Sequence, residues 1–504
     1  MMFLKNLTQR IFLLKVRNSL PNRFGHALNA KLENKYALHI FMAIIIFSFA
    51  YASAEIGVSR FSPDSWAYLE LSKTVFNGDF YKFNTLRSYF SSEYSASFPL
   101  GYPVAIAITS LLIGSNPMIA VAINIVAAIA TGYVLFFICR QIKLPALACF
   151  SIISALLFYR YYIDEIFSGR AIPVAIFLYA VSFYFFIRRR PVISGVFLGL
   201  SVLVRFDFLV YALLFQTAAL MVTRWQPRQN FLLLFGFVIG IFPWIFFSFT
   251  HFGKIWISDN SWVAISALPA FVLDYPAAPI ISAFQKPIMW LMRVISNVPP
   301  LLRSIIRGSL NIPLLILFFA YVIANWLRFG KENRNKFLLL FAIISLSTIP
   351  YLLTGYFDYR YYSLPFISLS MALVYLTYKT NNEVIFGVDC FGLSLISLIF
   401  ASVLGIFFLS KDISTANTRF EDVKSEAAQI RSLHYCHQQN SMNTYIFARG
   451  DLAAKYGALT GMRAAMLPSN LDRMTLEEKN AYYDRMKPYV FVENISGDGK
   501  CITQ

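Results

Sequence analysis

This chain is poor in charge, in acidic residues and in cysteine, and each shortage narrows what it can be. Charged residues make up 14% of its 504 positions, hydrophobic ones 58%, and acids number 26 against 44 lysines and arginines. With a mean hydropathy of +0.58, that balance excludes an ordinary soluble globular protein. The five cysteines have no metal-binding spacing. Cys139, Cys149 and Cys390 fall in or at apolar runs and read as packing residues. Cys436 and Cys501 lie in the tail and would pair only if it faces an oxidising compartment. No internal repeat is visible, and the tail has neither a Gly-rich phosphate loop nor a His/Cys cluster. Residues 1–36 are polar and basic, with no cleavable signal, so the first apolar run is expected to serve as the targeting signal.

What is abundant is apolar sequence in runs of about 17 to 25 residues, each long enough to cross a hydrocarbon core of roughly 30 Å. Spans are expected near 37–54, 118–138, 144–159, 171–187, 191–205, 206–223, 230–250, 310–327, 336–354, 361–378 and 391–410. Those at 144–159 and 191–205 are short. The fold class is therefore a polytopic α-helical membrane protein of about 11–13 spans. Segment 99–114, which opens Pro99-Leu100-Gly101-Tyr102-Pro103, reads as a re-entrant or surface helix.

The basic surplus is uneven. Residues 411–504 carry 12 basic and 11 acidic side chains, so residues 1–410 carry 32 and 15. Clusters at the N-terminus, Arg140/Lys143, Arg188-Arg189-Arg190, Arg224/Arg228 and Arg328/Lys331/Arg334/Lys336 fall between runs, and the positive-inside rule puts them in the cytoplasm. The surplus therefore reads as membrane orientation, and no nucleic-acid partner is expected. The outer loops, at about 55–98, 160–170 and 251–309, then hold most of the acids. In the loop from His251 to Asn311 the stretch Ile280 to Arg307 mixes apolar residues with cations. Two readings stand: an interfacial helix with snorkelling cations, or a groove for a lipid-linked phosphate.

From Lys411 the apolar runs stop. Residues 414–435 read as a polar helix, Thr444 to Ala448 as a strand, Asp451 to Gly457 as a helix, and Pro488 to Glu493 as a strand. Together they suggest a small C-terminal α/β domain that rests on the membrane domain.

The most informative segment follows the first run: Ser62-Pro63-Asp64-Ser65-Trp66-Ala67-Tyr68-Leu69-Glu70. A carboxylate beside the bilayer is costly unless solvated, paired or used. Ser62 can cap a helix that Pro63 starts, which places Asp64 at the positive end of the helix dipole. That placement has a purely structural explanation as well as a catalytic one. The same holds elsewhere: Asp164-Glu165 can be a solvated loop paired with Arg170, Arg205 and Asp207 a neutralised ion pair, and Arg360 a snorkelling cation.

In order, the chain carries Pro63-Asp64-Ser65-x-x-Tyr68-Leu69, Asn77-Gly78-Asp79, Phe98-Pro99-Leu100-Gly101-Tyr102-Pro103, Asp164-Glu165, Leu203-Val204-Arg205-Phe206-Asp207 and Arg360-Tyr361-Tyr362-Ser363-Leu364-Pro365. A tail strand followed by Tyr456-Gly457-Ala458-Leu459-Thr460-Gly461 completes the pattern. This resembles the class C integral-membrane glycosyltransferases, in the branch of protein O-mannosyltransferases and lipid A aminoarabinose transferases. The resemblance implies a GT-C-like fold in a cell (inner) membrane, N-terminus cytoplasmic and tail extracytoplasmic. It implies a polyprenyl-phosphate sugar as donor and a glycan, lipid or protein hydroxyl as acceptor. Asp64 matches the position of the base or orienting acid, and Asp164 or Glu165 that of a second acid. Arg360, then Arg205 or Arg293, would hold the departing phosphate, and Tyr68 and Tyr102 would position substrate. A divalent metal is possible, since relatives differ. Ser65 departs from the acidic pair common in the first-loop motif. The rival reading is a transporter or lipid flippase, which would show repeated halves and broken, charged helices at the midplane.

Overall fold

The apolar runs fold as helices, because in hydrocarbon only intrasegment bonds can satisfy every backbone group of a single chain segment. A computed structural model describes residues 20–34, 36–76, 80–81, 85–86, 94, 98–222, 227–258, 284–309, 312–324, 338, 348–354, 363–380, 390–439, 445–449, 463–467 and 490–491. Its first half contains α1 (Leu20–Leu32), α2 (Ala37–Ile56), a 3-10 turn (Gly57–Arg60), α3 (Pro63–Thr74), α4 (Gly101–Ile113), α5 (Ile119–Gln141), α6 (Ala146–Leu157) and α7 (Arg160–Phe167). There follow α8 (Ile172–Ile187), α9 (Pro191–Val204), α10 (Phe208–Val222), α11 (Pro227–Phe252), α12 (Pro287–Ser296), α13 (Val298–Ser309), α14 (Pro313–Ala324), α15 (Ile349–Thr354), α16 (Ser363–Thr380) and α17 (Cys390–Gln439).

Among the described residues four helices are long and apolar enough to cross a membrane: Ala37–Arg60, α5, α11 and the Cys390–Ala416 part of α17. Helices α6 and α7 make a fifth if taken together, bent by 57°. The chain is thus a multi-pass helical membrane protein; among the described residues the full-length helices are fewer than the 11–13 spans expected. Runs 171–187, 191–205 and 206–223 became α8, α9 and α10, of 16, 14 and 15 residues. At about 1.5 Å per residue these fall short of a 30 Å core. The physical reason is local: Arg205 adopts an extended conformation and ends α9, and Tyr159 does the same between α6 and α7. Of the expected span 336–354 only residues 338 and 348–354 are described.

Segment 99–114 forms α4. The Tyr102 hydroxyl near its start lies 3.1 Å from the Ala120 carbonyl and 3.1 Å from Asn124 Oδ1. This side chain ties the start of α4 to the start of α5. Its far end, Leu111 to Ile113, is exposed.

The bundle has two chemically distinct ends. At one, α1 packs its helix face on α17: a Cβ on Gly25 would stand 2.8 Å from the Phe391 carbonyl. Asn29 and Glu33 accept hydrogen bonds from the Leu147 and Ala146 amides, and so cap α6 from outside it. Arg140 pairs with Glu33 at 2.8 Å, and exposed Lys143 and Arg188 to Arg190 turn the chain nearby. The opposite end collects the acids.

Helices α9 and α11 run parallel and meet at glycines. A Cβ on Gly195 would lie 2.1 Å from the Leu233 carbonyl, and one on Gly199 2.4 Å from that of Phe237. Gly236 and Gly240 face Val192 and Val196 equally closely, at 2.2 and 2.3 Å. Small residues four apart on both helices let backbones touch, the way helices associate in lipid without a hydrophobic drive.

The expected tail strands are present as β2 (Tyr445–Arg449) and β4 (Val490–Phe491), with β3 (Arg463–Leu467) between them in sequence. They do not make a self-contained tail module. The parallel sheet runs β1-β3-β2-β4, and β1 is Thr85–Leu86 of the first outer loop, in register with Ala464 and Ala465. The expected helix Asp451–Gly457 and the Cys436–Cys501 pair lie outside what is described. The apolar run ending at Ser410 and the polar helix expected over 414–435 are one continuous 50-residue α17, since no Gly or Pro interrupts residues 406–439. Sheet pairing puts the first outer loop and the tail on the same side.

Candidate active site

The site is built on the start of α3. Ser62 is the N-cap, Pro63 opens the helix and Asp64 stands in its first turn. Ser65 completes a reciprocal cap: its amide donates to Ser62 Oγ at 3.3 Å, and the Ser62 amide donates to Ser65 Oγ at 3.2 Å. A hydroxyl can give and receive at once, which a carboxylate cannot. The Ser65 hydroxyl also donates to the Ser168 carbonyl, joining the first loop to the end of α7.

Helix α7 ends in a Schellman turn. The Arg170 amide bonds back to the Glu165 carbonyl at 3.3 Å, and Gly169 takes a positive φ of 69°. An L side chain is disfavoured there. This turn is held from below by Asn124, buried in the second turn of apolar α5. Its amide nitrogen donates to the carbonyls of Arg170, at 2.8 Å, and of Glu165, at 3.2 Å, while its oxygen accepts from Tyr102.

Out of this turn the charges converge. Arg170 Nε donates to Ser62 Oγ at 2.8 Å, and its Nη1 pairs with Glu165 at 2.7 Å. Asp164 lies between two guanidiniums, 3.6 Å from Arg170 and 3.7 Å from Arg60. Arg60 is held from its other side by Asp412 of α17. The two adjacent acids therefore differ: Glu165 is fully buried, whereas the Asp164 side chain is 38% exposed. Only the latter can meet an incoming molecule. Asp64 is half-buried on the helix whose cap Arg170 touches, so the segments carrying Asp64 and Asp164 are brought together.

The other expected residues stand apart. Tyr68 and Tyr102 are buried edge-to-face, 5.0 Å between centroids. The Tyr102 hydroxyl faces the Gly169 carbonyl at 3.1 Å as well as Asn124, so this residue reaches the site only by fixing the turn. Tyr81 does similar work for residues 98–100, donating to the carbonyls of Phe98 and Pro99 at 3.0 and 2.9 Å. Burial pushes its phenol pKa well up. Arg205 pairs with Asp207 at 2.9 Å at the end of α9. There α4 comes close, because a Cβ on Gly101 would meet the Leu203 carbonyl at 2.7 Å.

Arg293 is buried, donates to the Leu353 carbonyl, and sits beside Asn297, which bonds the Leu352 carbonyl at 2.9 Å. Desolvation lowers its pKa. Around it α12 and α13 turn Ile288, Met292, Ile295, Leu302 and Ile306 outward, an apolar face where a soluble protein would be polar. Arg360 lies outside the described residues. No group of three His, Cys, Asp or Glu side chains placed to hold a metal occurs among them. Sequence reasoning missed Asn124, Arg60 and Asp412; an amide side chain in the apolar run 118–138 was the available signal for the first.

No protein-family model matches the chain, and no curated protein does. Among solved structures it is similar to ArnT from Cupriavidus metallidurans bound to undecaprenyl phosphate, at 11% identity and a TM-score of 0.44, covering 90% of this chain and 89% of that one. The apo state of the same ArnT is similar at 14% identity and a TM-score of 0.40, covering 85% and 84%.

Proposed function

We propose that this protein is a membrane glycosyltransferase that moves a sugar from a polyprenyl-phosphate donor to an acceptor hydroxyl. The observation that carries the reading is the half-exposed Asp164 between Arg60 and Arg170, docked on the capped helix that presents Asp64. A carboxylate set between two guanidiniums, beside a second carboxylate in the first turn of the adjoining capped helix, suits proton transfer from an alcohol. In the proposed reaction the acceptor oxygen bonds to the anomeric carbon and its proton passes to a carboxylate. The bond from that carbon to the phosphate oxygen breaks, and polyprenyl phosphate leaves with the electron pair.

Asp64 is the proposed base and Asp164 the second acid that orients the acceptor. Glu165, buried on Arg170, keeps that arginine in place. For the leaving phosphate the proposal retains Arg360, whose segment continues from the Leu352–Leu353 carbonyls that Asn297 and Arg293 hold, with Arg205 next. A guanidinium suits a phosphate's bidentate geometry. The active face is taken as extracytoplasmic, because the basic turns lie at the opposite end. The membrane is taken as a bacterial inner membrane, and the tail as an α/β unit completed by β1.

The test incubates purified wild-type, Asp64→Asn and Asp164→Asn protein with a panel of undecaprenyl-phosphate sugars and follows release of undecaprenyl phosphate. Wild type alone is expected to release it. Equal release by Asp64→Asn with loss in Asp164→Asn would move the base to Asp164. No release by any of the three, with any donor, would sink the reading and favour a transporter or flippase.

A further inference from the structure

Resting on that reading, we propose that Asp412 of the last membrane helix is a positioning residue for the same site: it holds Arg60 so that the guanidinium orients Asp164 without closing on it. Asp412 is buried at the end of an apolar stretch that carries no charge from Phe391 to Ser410. A carboxylate there is costly unless paired, and its partner is Arg60, from the turn just before the Ser62 cap. The other Nη of the same guanidinium stands 3.7 Å from Asp164. One turn earlier on α17, Phe408 lies under Arg160 of α7, with the guanidinium carbon 4.9 Å from the ring centroid. The last helix thus grips the site through two arginines.

The distances explain why such a grip is useful. Asp164 sits at 3.6 and 3.7 Å from its two arginines, beyond hydrogen-bond range, so it is oriented by them while its lone pairs stay open. A carboxylate fully engaged by a guanidinium accepts hydrogen bonds from it and becomes a poorer partner for an alcohol. Asp412 competes for Arg60 and prevents that collapse. The other charges facing this pair are Arg160 of α7 and Lys411 of α17, with Arg170 and Glu165 behind Asp164.

Asp412→Asn is expected to lower kcat about 10- to 100-fold with donor KM unchanged, the signature of misplacement rather than lost binding. Asp412→Glu is expected to restore most of it. A kcat within about twofold of wild type in Asp412→Asn, or an equal loss in Asp412→Glu that follows the fraction of folded protein, would overturn the proposal. A second measurement needs no turnover: thermal unfolding of Asp412→Asn, Asp164→Asn and the double variant. Two acids sharing Arg60 must give non-additive Tm shifts; additive shifts would overturn the proposal even if wild type proved to transfer nothing, a result that by itself counts only against the glycosyltransferase reading.

Discussion

Along the seam of α9 and α11 two backbones touch with no polar side chain between them. At the acidic end, by contrast, Arg60 of the 3-10 turn, Asp164, Glu165 and Arg170 at the end of α7, and Asp412 from within α17 meet from three different segments. Lipid supplies no hydrophobic drive for either region, so each uses what remains: close dispersion contact at the seam, ion pairs and hydrogen bonds at the cluster. The seam needs only the absence of side chains and tolerates no addition. The cluster needs particular groups at particular distances, and one of them, Asp164, is left half-open. A rigid interior seam and an adjustable charged rim are the division of labour expected when a scaffold carries a site.

The comparison breaks first at the seam. Gly199→Leu puts a branched side chain where even a Cβ stands 2.4 Å from the Phe237 carbonyl. It is expected to cost at least about 3 kcal/mol and to prevent isolation of folded protein, as read by size-exclusion profile and thermal unfolding in detergent. Next, Glu165→Gln leaves Arg170 short of its buried partner and is expected to cost about 3 kcal/mol. It should also abolish transfer, because Arg170 no longer holds the Ser62 cap. Smaller still, Asn124→Ala strands the carbonyls at the end of α7 and is expected to cost about 1 to 3 kcal/mol. Its transfer rate should fall more than its Tm, which separates the turn's geometry from bulk stability. Least of all, replacing the Arg205–Asp207 pair jointly by Met and Leu is expected to change stability by less than about 1 kcal/mol. A raised donor KM in that double variant would show that Arg205 meets the phosphate.

How much of this was legible beforehand follows from what each feature depends on. The Ser62-Pro63-Asp64 cap could be read from sequence because capping is a matter of neighbouring residues. The Arg205–Asp207 pair was readable for the same reason, two residues apart. Ser65 looked like a departure only because its function, bonding Ser168, crosses from one loop to another. Asn124, Arg60 and Asp412 act on partners 46, 104 and 352 positions away, distances that no local pattern encodes. The tail strands were visible as short β-branched and aromatic stretches, whereas the joining of Thr85–Leu86 to them was not. A two-residue strand has no periodicity of its own.

Sequence by itself determined that this is a helical membrane protein with a basic end and an acidic end, because apolar runs and charge placement act residue by residue on transfer into lipid. It also placed the start of the helix bearing Asp64. Only tertiary structure decided that Tyr102 ties α4 to α5 and to the turn after α7, that the short α8, α9 and α10 share a bundle with longer helices, and that Asp164, rather than buried Glu165, keeps an exposed side chain. Those outcomes depend on which backbone carbonyls and guanidiniums arrive beside a residue once distant segments pack, and packing in a dry interior is settled by contact, not by composition.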